Sequence, residues 1–166
     1  MNYSILALVL LVALLLYFQS KKRKTKKALL LQKQEDEVYR NYLNKFQDIS
    51  TLKKLPVQEV QIAGVRYQND DGSQRQDIIR ECKKGERLML IPDSINQYDK
   101  HAIQVLRLNR QQIGFLDMDL AIEVKSRLEA SSPVEASIID IKEEKETLQV
   151  YIALQKYSLR SNVSAN

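Results

Sequence analysis

The chain has 166 residues, with 26 Lys and Arg against 21 Asp and Glu, one cysteine and one histidine. Once an N-terminal segment and a linker are set aside, about 110 residues remain, enough for one domain with a modest core and no second one. The lone Cys82 excludes an intrachain disulfide framework, and with only His101 beside it a zinc site would need several carboxylates, so no metal or cofactor is expected and Cys82 reads as an ordinary reduced thiol.

Met1 to Ser20 carries no charged side chain, and Tyr3 to Phe18 is an unbroken apolar or weakly polar run. At about 1.5 Å per residue, a twenty-residue helix just crosses a hydrocarbon layer of roughly 30 Å, with lysines able to snorkel at its end. A cleaved secretory signal would need a basic region before the run and a small-residue site after it. Here Tyr17-Phe18-Gln19-Ser20-Lys21 is bulky and then basic. Residues 1–20 are therefore expected to form an uncleaved, single-pass transmembrane anchor. Residues 21–27 are a basic juxtamembrane cluster whose six Lys or Arg favour the cytoplasm for everything that follows. The cluster is either attracted to anionic headgroups or a topology signal alone. Those six leave 20 basic against 21 acidic residues in 28–166, a net charge of −1. Overall basicity is thus no argument for nucleic-acid binding, which needs positive charge on the binding face.

Residues 28–55 read as a helical stalk or linker. From Ala28 to Ile49 the chain lacks Gly and Pro and spaces Leu31, Val38, Tyr42, Phe46 and Ile49 near multiples of three and four. That face either packs on the protein's own domain or pairs with a second copy as a short coiled coil. Pro56 marks the boundary, because the residue before proline is pushed out of helical geometry.

Residues 56–157 form the globular domain, and 158–166 a flexible tail. Val57, Val60, Ile62 and Val65 outline a first strand; Gln76 to Lys83 suits a short helix ended near Gly85; Arg87 to Ile91 gives a second strand. His101 to Leu108 and Gln112 to Leu116 flank a tight turn at Asn109-Arg110-Gln111 that no glycine supports. Asp117 to Glu129 reads as a helix with Ala121, Val124 and Leu128 on one face and acids at its start. Pro133 to Ile141 and Thr147 to Leu154 alternate around the charged turn Lys142 to Glu146. This many strands with two short helices predicts a mainly β domain, a small, partly open barrel that folds without metal from about Val57. Gly64 and Gly114 interrupt strands, marking either a barrel corner or a close ligand approach, whereas Gly72 and Gly85 are turn glycines.

The run Asn96-Gln97-Tyr98-Asp99-Lys100-His101-Ala102-Ile103-Gln104-Val105 leads a polar turn straight into an alternating strand, and Ile113-Gly114-Phe115-Leu116 follows. With Gly64-Val65-Arg66-Tyr67 upstream and Gly85-Glu86-Arg87-Leu88-Met89-Leu90-Ile91-Pro92 between, the segment from Val57 to Ala130, extending toward Leu154, resembles the HIRAN domain. This is a small β-rich module attached to fork-remodelling helicase-like ATPases and found alone in bacteria. The resemblance implies an OB-like barrel and, from the DNA-binding members, capture of single-stranded 3′ ends.

A tyrosine ring offers a stacking platform worth roughly 1–3 kcal/mol for an unpaired base, while a carboxylate accepts from a sugar hydroxyl but repels phosphate. An aromatic beside an acid therefore suits a strand terminus. By resemblance, Tyr98 stacks on the last base and Asp99 accepts its 3′-hydroxyl, while Arg66 contacts phosphate and Tyr67 stacks. From the residues alone, Tyr98 could fill a barrel rim, Asp99 could cap its turn through Asx-type bonds, and Arg66 could be solvated. Phe115 stands where DNA-binding members can carry a polar ring, and Met118 where a lysine would help hold phosphate. Gln97 and His101 replace the family's proline and asparagine, altering turn stiffness. Arg75, Arg80, Lys83, Lys84 and Arg87 could supply a phosphate track or form a solvated helix face.

No nucleophile motif, Gly-Lys-Ser/Thr phosphate loop or spaced carboxylate pair appears, so enzymatic activity is not expected. Two readings follow. The first is a membrane-tethered nucleic-acid-binding module for single-stranded DNA 3′ ends, through Arg66, Tyr67, Tyr98, Asp99 and Phe115. The second is a membrane-anchored protein-interaction module, with an unknown protein partner, that keeps the barrel but not DNA binding.

Overall fold

The computed structural model describes residues 3–158, with the backbone alone for residues 3–13 and Leu15. The expected flexible tail lies outside the described residues from position 159. The chain divides into two units, Met1–Val38 and Tyr39–Asn166.

The first unit is helical. Helix α1 (Tyr3–Leu43) begins in it, consistent with a run free of Gly and Pro. Within it Thr25 donates to the Lys21 carbonyl at 3.0 Å and the Tyr17 and Phe18 rings meet edge-on at 5.8 Å. Of the apolar run Tyr3 to Phe18, only Leu14, Leu16, Tyr17 and Phe18 have described side chains. The anchor expected over residues 1–20 thus falls mostly outside the described side chains, and among the described residues no helix is long and apolar enough to cross a membrane.

The second unit is built on a curled, six-stranded antiparallel sheet. Its strands are β1 (Gln58–Gln61), β2 (Arg87–Pro92), β3 (Ile103–Arg107), β4 (Gln112–Phe115), β5 (Val134–Glu144) and β6 (Thr147–Lys156), in the order β1-β6-β5-β2-β3-β4. The two edges of the sheet meet at one place, where Ala63 and Phe115 exchange both backbone hydrogen bonds at 2.8 and 2.9 Å. Inside the curl Leu88, Leu90, Ile103, Val105, Ile113, Ile138, Val150, Ile152 and Leu154 are fully buried. Helix α2 (Arg75–Glu81) adds Ile78 and Ile79, and helix α3 (Met118–Glu129) adds Ala121, Val124 and Leu128. The strand alternation and the three-four spacing of the helix therefore converge on one core.

Two hairpin turns do without glycine. Arg110 takes φ +70 in the β3–β4 hairpin, and Lys145 and Glu146 take +48 and +62 in the β5–β6 hairpin, positions where Asn or Gly is commoner.

The second unit starts upstream of Val57, at Tyr39. Tyr39, Tyr42 and Phe46 pack with Met89, Ile91, Leu106 and Leu108 on the outer face of the sheet. The Tyr42 hydroxyl donates to the Leu90 carbonyl (3.3 Å) and accepts from its N–H (3.2 Å), and burial pushes its pKa up to about 12. Glu135 accepts from both the Tyr39 hydroxyl, at 3.1 Å, and the Tyr157 hydroxyl. Burial, reinforced by Glu135, holds both phenols above their ordinary range. Of the face read from Leu31 to Ile49, Tyr42 and Phe46 are docked, but Leu31 and Val38 are exposed and the helix ends at Leu43.

Candidate nucleic-acid interface

Arg66 and Tyr67 lie in the turn that leaves β1. Gly64 permits it by adopting φ +71, and the Tyr67 N–H donates to the Gly64 carbonyl at 3.2 Å. The turn is fixed from beneath by Arg75, whose residue is only 5% exposed. Its Nε donates to Asn69 Oδ1 at 2.6 Å, its Nη1 to the Gly64 carbonyl at 2.8 Å, and its guanidinium lies 4.9 Å from the Phe115 ring centroid. Gln76 completes the brace, donating to the carbonyls of Val65 and Leu148 and accepting from the Leu148 N–H. A Cβ on Gly64 would sit 3.5 Å from Phe115 Cδ2 and 3.6 Å from Tyr67 Cδ2, so the two rings flank this glycine. Tyr67 is 70% exposed, and Arg66 is exposed with no hydrogen bond or ion pair among the described residues. Both line an open cavity of about 550 Å³ that also takes in Gln61, Gly64, Asp117 and Gln149.

Gly114 settles the other glycine question. A Cβ there would fall 2.5 Å from the Ala63 carbonyl oxygen and even closer to Ile62 Cγ2. The close approach is by the protein's own chain, where the sheet edges meet.

Tyr98 and Asp99 occupy the loop between β2 and β3, outside that cavity. The loop is held by its own short polar side chains. Asn96 Oδ1 accepts from the N–H groups of Tyr98 (3.0 Å) and Asp99 (2.9 Å), and Asn96 Nδ2 donates to Asp93 Oδ2. Asp99 Oδ1 accepts from the His101 N–H at 2.8 Å, the Asx-type bond that the sequence allowed. Its Oδ2 receives no hydrogen bond from the described residues. Tyr98 does not fill a rim: it is 98% exposed. The loop continues into β3, where Gln104 pairs with Phe115, so loop and cavity connect through β3 and β4.

Positive charge does not gather here. Met118 opens α3 and is 61% exposed, with Ile122 exposed one turn on. Of the stretch that could supply a phosphate track or form a solvated helix face, Arg75 is buried, Arg80 pairs with Asp77 and the Arg87 guanidinium stacks 4.6 Å from the Tyr39 ring centroid, while Lys83 and Lys84 are exposed. Asp117 and Asp119 are exposed instead, and Glu123 is held below the usual carboxylate range by its hydrogen bond from Lys156, helped by Arg127. Burial, reinforced by Glu86, pushes the Cys82 thiol up to about 11, which keeps it protonated and unreactive at neutral pH. Among the described residues no group of three or more His, Cys, Asp or Glu could hold a metal ion.

Two structural residues were not read from sequence. Arg75 stands in a stretch of charges, and Tyr39 lies one position off the apolar face; only their partners Gly64, Asn69 and Glu135 reveal them.

A family model and one solved structure agree with this architecture. The crystal structure of the HIRAN domain of human HLTF is similar in fold, with a TM-score of 0.53 at 18% identity over 68% of this chain and 84% of that one. A crystal structure of a protein from Lactobacillus plantarum overlaps with a TM-score of 0.49 at 19% identity, covering 64% of this chain and 97% of that one. No curated protein sequence matches. The HIRAN domain model matches residues 55–157, well over half of the chain, and the protein belongs to the HIRAN domain family.

Proposed function

We propose that the domain is a binding module for single-stranded nucleic acid with a free 3′ end, and not an enzyme. The observation that carries this reading is Tyr98, a large ring left 98% exposed on a loop that Asn96 and Asp99 hold in shape. Membership of a family whose modules generally bind nucleic acid adds to it. In this reading Tyr98 stacks on the terminal base, Asp99 Oδ2 accepts the 3′-hydroxyl, Tyr67 and Phe115 stack further along, and Arg66 contacts phosphate. With Met118 in place of a cation and acids nearby, affinity is weak and its salt dependence shallow.

The test is fluorescence anisotropy with one oligonucleotide ending in a 3′-hydroxyl and the same strand ending in a 3′-phosphate. The hydroxyl strand binds better, and Asp99→Ala erases the preference. Equal binding to both, or none at low salt, would remove the reading.

A second reading, a protein-interaction module without DNA affinity, draws on Asp117 beside Arg66 and Tyr67 in the same cavity, since a carboxylate there opposes phosphate. In both readings residues 1–20 tether the domain to a membrane as a single pass, with Lys21 to Lys27 and the domain on the cytoplasmic side. The uncharged run before that basic cluster supports this. Release of the full chain from membranes by alkaline carbonate would count against the tether.

A further inference from the structure

We propose that the free edge of β1 is a docking site for an extended peptide bearing basic side chains, which adds a strand along the seam of the barrel. Along β1 the backbone groups alternate in direction. Ile62 donates to Val150 on β6, whereas Ala63, one residue on, turns both its groups to Phe115 on β4. Gln61 and Glu59 share Ala63's direction, and β1 pairs only with β6. Their N–H and C=O groups therefore point across the seam and have no backbone partner among the described residues. The chain that could have paired with them turns away: after Phe115 it leaves β4 and enters α3 at Met118.

The space this leaves is a groove of about 500 Å³ between the β1 edge and the first turns of α3, with Val60 and Leu120 as its apolar lining. Lys156 closes one end, donating to Gln58 Oε1 at 2.7 Å and to Glu123 at 2.8 Å. Along the α3 wall stand Asp117 and Asp119, exposed, their carboxylates without a hydrogen bond or ion pair from the described residues. Charge complementarity selects the guest. A nucleic-acid backbone would meet two carboxylates, while a strand with alternating lysines meets them favourably and satisfies the open groups of Glu59 and Gln61, as peptides do when they extend a sheet. A short, charged edge also protects a sheet against indiscriminate pairing, so the docking needs both main-chain and charge recognition.

The probe is a fluorescein-labelled hexapeptide, acetyl-Lys-Val-Lys-Val-Lys-Val-amide, titrated into the full-length chain in detergent micelles. Two further peptides carry N-methyl groups on the lysine amides or on the valine amides. Only one set of amides faces β1 in an added strand. One methylated peptide then loses binding at least tenfold while the other stays within about threefold, as expected for hydrogen bonds made along one edge. The double variant Asp117→Asn, Asp119→Asn weakens the parent peptide severalfold with only a small fall in the thermal midpoint, from the loss of two carboxylates at a helix N-terminus. Amide resonances of Glu59 and Gln61 shift on binding. Equal binding by both methylated peptides, or no binding of the parent at millimolar concentration, would overturn the proposal.

Discussion

Two parts of the candidate interface are built by opposite means. The turn carrying Arg66 and Tyr67 is braced by other elements: Arg75 and Gln76 reach it from α2, Asn69 holds Arg75 in place, and β4 crosses close enough at Gly114 to leave no room for a Cβ. The loop carrying Tyr98 and Asp99 is braced by its own neighbours, through Asn96, Asp93 and Asp99 itself, with one tie to α3 where Lys125 donates to the Lys100 carbonyl at 2.5 Å. Binding surface in the first region is inseparable from the fold. In the second, side chains can change with little effect on stability, which is where a binding specificity can vary at small structural cost.

The largest effect is expected at the seam. Gly114→Ala places a methyl group against the Ala63 carbonyl and Ile62, and a backbone oxygen cannot swing aside like a side-chain end. Overpacking of this kind costs typically 1–3 kcal/mol and here about 3, because the crossing itself must widen. Thermal unfolding measures it, and an unchanged midpoint would mean that the seam is not closed as described. Arg75→Met comes next. Methionine keeps much of the volume, but the Gly64 carbonyl and Asn69 Oδ1 lose their donor, for a loss of about 2 kcal/mol by the cost of stranding buried polar groups. If Arg75 were a solvated phosphate ligand instead, stability would hold and only binding would fall.

Much of the scaffold could be read along the chain, because it rests on local periodicity. The inward face of α3, Ala121, Val124 and Leu128, follows from spacing alone, as does the strand expected over Arg87 to Ile91, which runs one residue further, to Pro92. So does the glycine-free hairpin at Asn109 to Gln111, with Arg110 supplying the positive φ. What cannot be read depends on partners in other elements of the fold. Nothing near Arg75 separates it from the solvated Arg80, since its burial is decided by Gly64, Asn69 and Phe115. Apolar spacing places Val38 on the stalk face, yet Val38 is exposed and Tyr39 is buried, its hydroxyl satisfied by Glu135, 96 positions away. The exposure of Tyr98 was equally undecided: the same motif allowed a ring packed on the rim or one held out in solvent.

Within the loop, Asn96 is the residue whose loss matters most. Its side chain accepts two backbone N–H bonds and donates one. Asn96→Ala should cost about 1 kcal/mol, the net value of such bonds at a partly exposed site. Hydrogen exchange at Tyr98 and Asp99 rises more than at Arg66 and Tyr67. A loss matching that of Arg75→Met would show that loop and seam form a single cooperative unit and would end the contrast.

The smallest effect on stability and the most telling on function belong to Tyr98→Ala. A ring 98% exposed buries almost nothing, so its removal should shift stability by no more than about 0.5 kcal/mol, the range of ordinary surface substitutions. The loop keeps its shape, because Asn96 binds the Tyr98 backbone N–H and not the ring. Affinity for a single strand with a 3′-hydroxyl should nevertheless fall by roughly 1–3 kcal/mol, the scale of base stacking on an aromatic. Asp99→Ala behaves differently: it removes an acceptor for the hydroxyl and the turn bond to His101 together, so end preference disappears along with a modest loss of stability. Measuring melting and anisotropy on both variants separates the two roles. If Tyr98→Ala leaves binding unchanged while Asp99→Ala abolishes it, the loop acts by hydrogen bonding alone and the exposed ring serves some other contact.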